Sequence, residues 1–307
     1  MSLSIEIVEV GPRDGLQSEG IVFPTQRKLE LIARLVDAGI RRLEVASFVA
    51  PRRVPQMADA EAVMAGLPHR EGVTYVGMVL NLKGFERAVA AGCREIGMVI
   101  VASDTFNRRN QGASTQESTQ AWLEIATAAR SCGVRAQVTI AAAFGCPFEG
   151  EVPLVKVLDV AQRAAAGGPC EITFADSIGV GVPAQVSEMI GRARELLPDV
   201  PLRAHFHNTR NTGIANAYAA LQAGVRSLDA SIGGIGGCPF APAATGNIAT
   251  EDLMYLLERS GIETGISLPA LLETSEWLQR QLGKPLPAML LKAGTFPKQS
   301  ACADRRA

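Results

Sequence analysis

Two of the three histidines in the chain, His205 and His207, stand two residues apart. In an extended strand, residues i and i+2 project from the same face, so this spacing aims both imidazoles in one direction. Such a pair also suits two hydrogen-bonded core histidines. Asp14 and Asn247 shift the balance, because Asp14 lies just past the end of the first predicted strand and Asn247 in the loop after the eighth. Two imidazoles, a carboxylate and an amide carbonyl form a mixed nitrogen and oxygen donor set that leaves positions open for substrate oxygens. That is the pattern of an open divalent-metal site. The hard oxygens favour Mg2+ or Mn2+, and the two nitrogens keep Zn2+ or Fe2+ as alternatives. Arg13, next to Asp14, is placed to stabilise negative charge developing on a reacting oxygen, the alternative being a surface ion pair. Glu9 and Glu44 sit late in apolar strands, and Asp176 ends another. A buried carboxylate needs a partner, which Arg13 or the metal would supply, in a direct or a supporting role.

A glycine-rich run, Gly233 to Phe240, follows the last strand and reads as a mobile lid rather than a fixed packing element. Cys238 within it is a candidate proton donor or nucleophile. A second Gly-Cys-Pro-Phe stands at Gly145 to Phe148, so the tetrapeptide alone proves little, and Cys146 reads as an incidental buried thiol.

Positioning these groups requires a scaffold. Eight short apolar or β-branched segments alternate with helical stretches: Ile5 to Gly11, Arg42 to Phe48, Thr74 to Leu80, Ile96 to Ala102, Arg135 to Ala143, Glu171 to Asp176, Leu202 to His207 and Ser227 to Gly233. Regular alternation implies a parallel sheet, and strands apolar at nearly every position suit burial on both faces. Gly39, Gly92, Gly133, Gly167 and Gly224 each stand shortly before the next strand, where a left-handed helix cap is wanted. Eight units over residues 1 to about 260 predict an α/β fold of the (β/α)8 TIM-barrel type. A doubly wound open sheet is the alternative, but no Gly-rich dinucleotide fingerprint follows the first strand. In a closed barrel the first, seventh and eighth strands are neighbours, which would bring Asp14, His205, His207 and Asn247 to one point. An additional C-terminal helix is predicted at Ser267 to Leu282, within an extension of about 261–300, giving a single domain over 1–300 with a frayed tail at 301–307.

The 30 basic and 31 acidic residues give a net charge of −1, which offers no footprint for nucleic acid or a membrane surface. No apolar run approaches the roughly 20 residues of a membrane span. The first ten residues lack the features of a secretion signal, and the six cysteines are widely scattered, so a cytoplasmic protein with reduced thiols is expected.

Gly11-Pro12-Arg13-Asp14-Gly15-Leu16-Gln17, His205-x-His207, Gly236-Gly237-Cys238-Pro239 and Gly246-Asn247-x-Ala249-Thr250-Glu251-Asp252 resemble the 3-hydroxy-3-methylglutaryl-CoA lyase family. Glu44 to Phe48, Val54 to Met57 and Asp176 to Gly181 match it as well. The resemblance spans nearly the whole barrel. It implies a divalent-metal-dependent retro-Claisen cleavage of 3-hydroxy-3-methylglutaryl-CoA, or a close branched 3-hydroxyacyl-CoA relative, to acetyl-CoA and a keto acid. In that picture Asp14, His205, His207 and Asn247 hold the metal, Arg13 faces the enolate oxygen and Cys238 handles the proton. Glu9, Gln17, Glu44, Ser47 and Asp176 line or support the substrate pocket, with the base unassigned among them. Arg108 and Arg109 are candidates for the CoA phosphates, and a homodimer is implied. Two departures stand out: Asn208 follows the second histidine where the lyases have Asp, and Arg210 replaces an aromatic residue. Asn208 is shared with condensing synthases of the superfamily, so a condensing acyltransferase or pyruvate-type aldolase on the same barrel is the alternative activity. Arg210 adds charge near the predicted rim and favours a relative of 3-hydroxy-3-methylglutaryl-CoA as substrate.

Overall fold

A computed structural model describes residues 5–237 and 246–296. Eight parallel strands, β1 (Glu6–Glu9), β2 (Arg42–Ser47), β3 (Thr74–Met78), β4 (Glu95–Val101), β5 (Arg135–Ala141), β6 (Ile172–Asp176), β7 (Leu202–Phe206) and β8 (Ser227–Ala230), close in sequence order, β8 pairing with β1. All eight predicted strands are present, each ending one to three residues before or at its predicted C-terminal limit. The carboxyl ends open into turns and loops instead of continuing the ladder, and this is the end where such barrels carry their chemistry.

Helices α1 (Thr25–Asp37), α2 (Ala60–Gly66), α3 (Leu82–Ala90), α4 (Asp104–Gln111), α5 (Thr115–Cys132), α6 (Leu154–Ala165), α7 (Pro183–Leu196), α8 (Gly213–Gln222) and α9 (Thr250–Arg259) surround the barrel. Their ends follow from local chemistry. Ser114 and Glu117 form a reciprocal capping box at the start of α5, and Asn81 and Ser103 cap α3 and α4 through their side chains. Gly39, Gly92, Gly133 and Gly224 adopt positive φ after their helices as expected, but after α6 the left-handed residue is Gly168, not Gly167. At Gly167 the indole of Trp122 and Ala126 leave no room for a side chain, so that glycine serves close packing.

Strand β4 shows why the strands are apolar throughout: Ile96, Met98 and Ile100 are fully buried, as Val138 and Ile140 are on β5. The amino-terminal half of the barrel interior is ionic instead. Arg42 bridges Glu6, Glu95 and Glu171, while Arg203 lies near Glu171 and Asp229. Among the described residues no helix is long and apolar enough to cross a membrane.

The C-terminal extension is more than one helix. After α10 (Leu268–Leu282), capped by Ser267, the chain packs along the turn after β8 and the start of α9 and forms the short α11 (Leu290–Ala293). Trp277 on α10 packs edge-on against Phe23, with Arg34 of α1 over its ring. Ala288 N–H donates to Gly233 O at 3.1 Å, fixing the extension against the turn after β8.

Candidate active site

The first site residues leave β1 on a π-helical turn, Gly11–Gly15, in which the N–H groups of Asp14 and Gly15 both donate to Val10 O. Pro12 suits the start of this turn, and both glycines are steric requirements. A Cβ on Gly11 would lie 2.6 Å from Glu9 Oε1, and one on Gly15 the same distance from Ile235 Cγ1. The turn therefore packs against the segment after β8 and presents Arg13 and Asp14 to the barrel mouth. Such single π turns occur often at functional sites.

His205 and His207 share the inward face of the chain at the end of β7, their ring centroids 5.2 Å apart. Candidate ligand atoms of Asp14, His205 and His207 all lie within 4.8 Å of one another. Asn247 joins them through an isolated antiparallel bridge to His207, and its Nδ2 donates to Asp14 Oδ2 at 2.9 Å and to Ile235 O at 3.1 Å. The structure thus brings together the four predicted donors. Asn247 Oδ1 and His207 Nδ1 are buried and have no hydrogen-bond partner among the described residues. Unpaired buried acceptors are costly, and a divalent cation would satisfy them, so this donor set fits a metal. His205 Nδ1 lies 3.0 Å from Asp229 Oδ2, which leaves its Nε2 free to ligate.

Electrostatics agree with this arrangement. Burial alone would raise Asp14, but Arg13, His205 and His207 hold it below the ordinary carboxylate value. Burial and the neighbouring His205 push His207 down to about 4, so its ring is neutral near pH 7. Burial would also lower His205, yet Asp229 raises it above the usual imidazole value. Arg13 donates to Asp14 Oδ1 at 2.8 Å and its Nε pairs with Glu44. In β2 a register shift between Glu44 and Ala46 inserts one residue, which turns Glu44 and Ser47 toward the same side. Glu44 therefore reaches Arg13, while Ser47 lines the adjoining cavity.

Two carboxylates predicted to meet Arg13 or the metal are engaged elsewhere. Glu9 accepts the N–H groups of Gly11 and Ile232 and the hydroxyl of Thr250, so it ties the β1 turn to the β8 turn; burial raises it to about 7. Asp176 accepts from Val180 and Gly181 N–H and shapes the loop after β6. Glu251 does similar work: both its oxygens face Gly233 N–H, and it accepts the Ser275 hydroxyl. Consequently the first part of the glycine-rich run is fixed packing, contrary to expectation: Ile232 to Ile235 are buried, and a Cβ on Gly233 would overlap Leu286. Cys238, Pro239 and Phe240 of the predicted lid lie outside the described residues. Cys146 is buried with its Sγ 2.9 Å from Ser103 Oγ, a structural thiol as expected, and the four described cysteines are free.

Beyond Arg13 a cavity of about 830 Å³ runs past Gln17, Ser47, Met78 and Val99 to a rim carrying Arg53, Arg108, Arg109 and Lys284. Arg108 and Arg109 were expected here; Lys284 and Arg53 were not, although Arg53 stands in an Arg52-Arg53 pair of the same kind. Lys284 belongs to the C-terminal extension and pairs with Glu19 at 2.6 Å. Asp229 was also missed, although an acidic residue within an otherwise apolar strand was a signal in the sequence. The two departures are local: Asn208 Oδ1 accepts Gly213 N–H at the start of α8, and Arg210 donates to the carbonyls of Ile178 and Gly179. Arg210 thus braces the loop after β6 through its guanidinium.

The sequence model of the HMGL-like family matches residues 4–278 of this chain. The chain belongs to the HMGL-like family. It is a carbon–carbon lyase, as its relatives are. It is 46% identical to (R)-citramalyl-CoA lyase of Chloroflexus aurantiacus over 95% of both chains. It is 41% identical to mitochondrial hydroxymethylglutaryl-CoA lyase of Rattus norvegicus, covering 94% of this chain and 89% of the relative. Among solved structures, an Acinetobacter baumannii HMG-CoA lyase in complex with coenzyme A and 3-methylmalate superposes with a TM-score of 0.93 at 39% identity, covering 97% of this chain and 98% of the other. Hydroxymethylglutaryl-CoA lyase from Pseudomonas aeruginosa gives 0.92 at 38%, covering 95% and 98%.

Proposed function

We propose that this family member cleaves a branched 3-hydroxyacyl-CoA bearing a free carboxylate, releasing acetyl-CoA and a keto acid. One observation carries the reading: Asp14, His205, His207 and Asn247 converge beside Arg13 at the inner end of a cavity whose outer rim is cationic. Those four residues would hold a divalent cation, Mg2+ or Mn2+ by donor type, which when bound acidifies a hydroxyl that ligates it. The cationic rim receives the CoA phosphates and so orients the thioester toward Arg13.

Cleavage begins when a base, unassigned among the pocket residues, takes the tertiary hydroxyl proton. The oxygen–carbon bond becomes a carbonyl as the C2–C3 bond breaks, and that electron pair moves into the thioester as an enolate. The Arg13 guanidinium, braced by Glu44, faces the enolate oxygen; a preorganised donor of this kind contributes about 3 to 4 kcal/mol. A proton then returns to C2, completing acetyl-CoA, and Cys238 is the proposed donor. Gln17 and Ser47 line the pocket and bind the acyl group, whereas Glu9 and Asp176 act by holding the turns that bear the site.

Of the two thioesters that the relatives act on, the citramalyl group has one methylene fewer, so its keto-acid product is pyruvate rather than acetoacetate. The 46% identity over almost the full length favours the citramalyl substrate, with 3-hydroxy-3-methylglutaryl-CoA as the second reading. A turnover assay with both thioesters and Mg2+ or Mn2+, measuring acetyl-CoA together with each keto acid, tests the reaction and the acyl preference. Release of free CoA from acetyl-CoA and a 2-keto acid, with no cleavage of either thioester, would instead establish the condensing alternative. A cytoplasmic homodimer is proposed with this reading, and sedimentation equilibrium checks the dimer.

A further inference from the structure

Inward-facing positions of a (β/α)8 barrel are usually filled by branched aliphatic side chains. On β7 the residue two before His205, and so on the same face, is Arg203, and it is 2% exposed. Its Nε donates to Thr173 Oγ1 at 2.8 Å and lies 3.3 Å from Asp229 Oδ1. The other oxygen of Asp229, Oδ2, is the atom 3.0 Å from His205 Nδ1. On its far side Arg203 Nη1 lies 3.4 Å from Glu171 Oε2, which also accepts from Arg42 Nη1 at 2.9 Å. A continuous file of buried charges therefore runs from the floor of the barrel to a candidate metal ligand.

We propose that Arg203 is a positioning residue for the cation site: it pins Asp229 from below, so that Asp229 holds the Nδ1 proton of His205 and leaves Nε2 toward the cation. This rests on the reading of His205 as a ligand. The guanidinium suits the task because its flat head is oriented by the hydrogen bond from Nε to Thr173 and from there holds Asp229 and Glu171 by charge at 3.3 and 3.4 Å, although neither Asp229 Oδ1 nor Arg203 Nη1 has a hydrogen-bond partner among the described residues; a single ammonium would not be oriented in this way. Without it, Asp229 keeps His205 as its only partner among the described residues and is free to rotate away from Nδ1. Simple charge compensation for Glu171 and Asp229 would explain the presence of a cation, but it does not predict any change at His205.

The test uses the full chain stripped of metal. Mn2+ affinity is read from the electron paramagnetic resonance signal of free Mn2+, and the imidazoles from long-range 15N–1H spectra at pH 9, which contain only three histidines. Arg203→Met is expected to raise the Mn2+ Kd about 10- to 100-fold, the loss typical of an outer partner of a ligand. His205 should pass from one Nδ1–H tautomer to a mixture. Glu6→Gln, at the exposed end of the same ionic file, should change neither quantity. Wild-type Kd and a single tautomer in Arg203→Met would overturn the proposal. Should that variant not fold, Arg203→Lys decides on the same two measurements, since it retains the charge and loses the fork. If the wild-type chain binds no Mn2+, the cation reading above fails, and the tautomer measurement alone then decides the role of Arg203.

Discussion

Glu251 should make the protein lose stability as the pH rises from 5 to 8. Its carboxyl is fully buried among Gly233, Ser275 and the start of α9, and burial is the main cause that raises it from 4.5 to about 8, with nearby Glu9 adding to the rise. In the unfolded chain the ordinary value near 4.5 returns. The folded state thus keeps a proton that the unfolded state releases. Stability from this group is complete below about pH 4.5 and is lost progressively as pH climbs through the folded value. At about 1.4 kcal/mol per pH unit, the interval from 4.5 to about 8 amounts to about 5 kcal/mol. Glu251→Gln removes the titration while retaining an oxygen to accept Gly233 N–H, at a cost of about 1 to 3 kcal/mol for an amide N–H group without a partner. Urea unfolding at intervals between pH 5 and 8 measures the difference. The wild type should fall relative to Glu251→Gln by about 1 kcal/mol per pH unit, so that the variant becomes the more stable protein near pH 8. Parallel stability curves would refute the reasoning, because they would mean that Glu251 carries the same charge in both states.

Other outcomes follow from the site. Arg13→Met should lower kcat about 100- to 1000-fold while bound Mn2+, measured by atomic absorption after dialysis, stays at the wild-type level. Replacing His207 by Ala should abolish both Mn2+ binding and turnover, whereas His69→Gln, at an exposed position on the loop after α2, should leave both near wild type. Gly236→Ala places a Cβ on Asn247 Nδ2 in a backbone with φ of +118°, so it should weaken Mn2+ binding at least several-fold without a comparable fall in melting temperature. Asn208→Ala removes the acceptor for Gly213 N–H, costing about 1 kcal/mol of stability by urea titration, and should leave the reaction a cleavage.

Much of this molecule is written in local patterns. Eight apolar segments, separated by helices that mostly end at left-handed glycines, specify a closed parallel barrel because each signal depends on a few neighbouring residues. The His205 and His207 pair was legible for the same reason: spacing along one strand dictates a shared face. Asp14 and Asn247 could be added because barrel closure makes the first, seventh and eighth strands adjacent. Tertiary structure alone decided where the buried carboxylates point. Glu9 and Glu44 look alike in sequence, each late in an apolar strand, yet one bonds the loop backbone and the other grips Arg13. The direction of a side chain depends on what stands across the barrel, and on the inserted residue in β2 that no periodicity announced. Likewise glycines 233 and 234 promised mobility by composition, while Leu286 and Pro287, some fifty residues onward, pack against them and make them fixed. The short-range rules of backbone and burial act within a turn or a strand and can be read from the chain; contacts between distant elements, including the cationic rim and the file from Arg42 to His205, exist only once the barrel has closed.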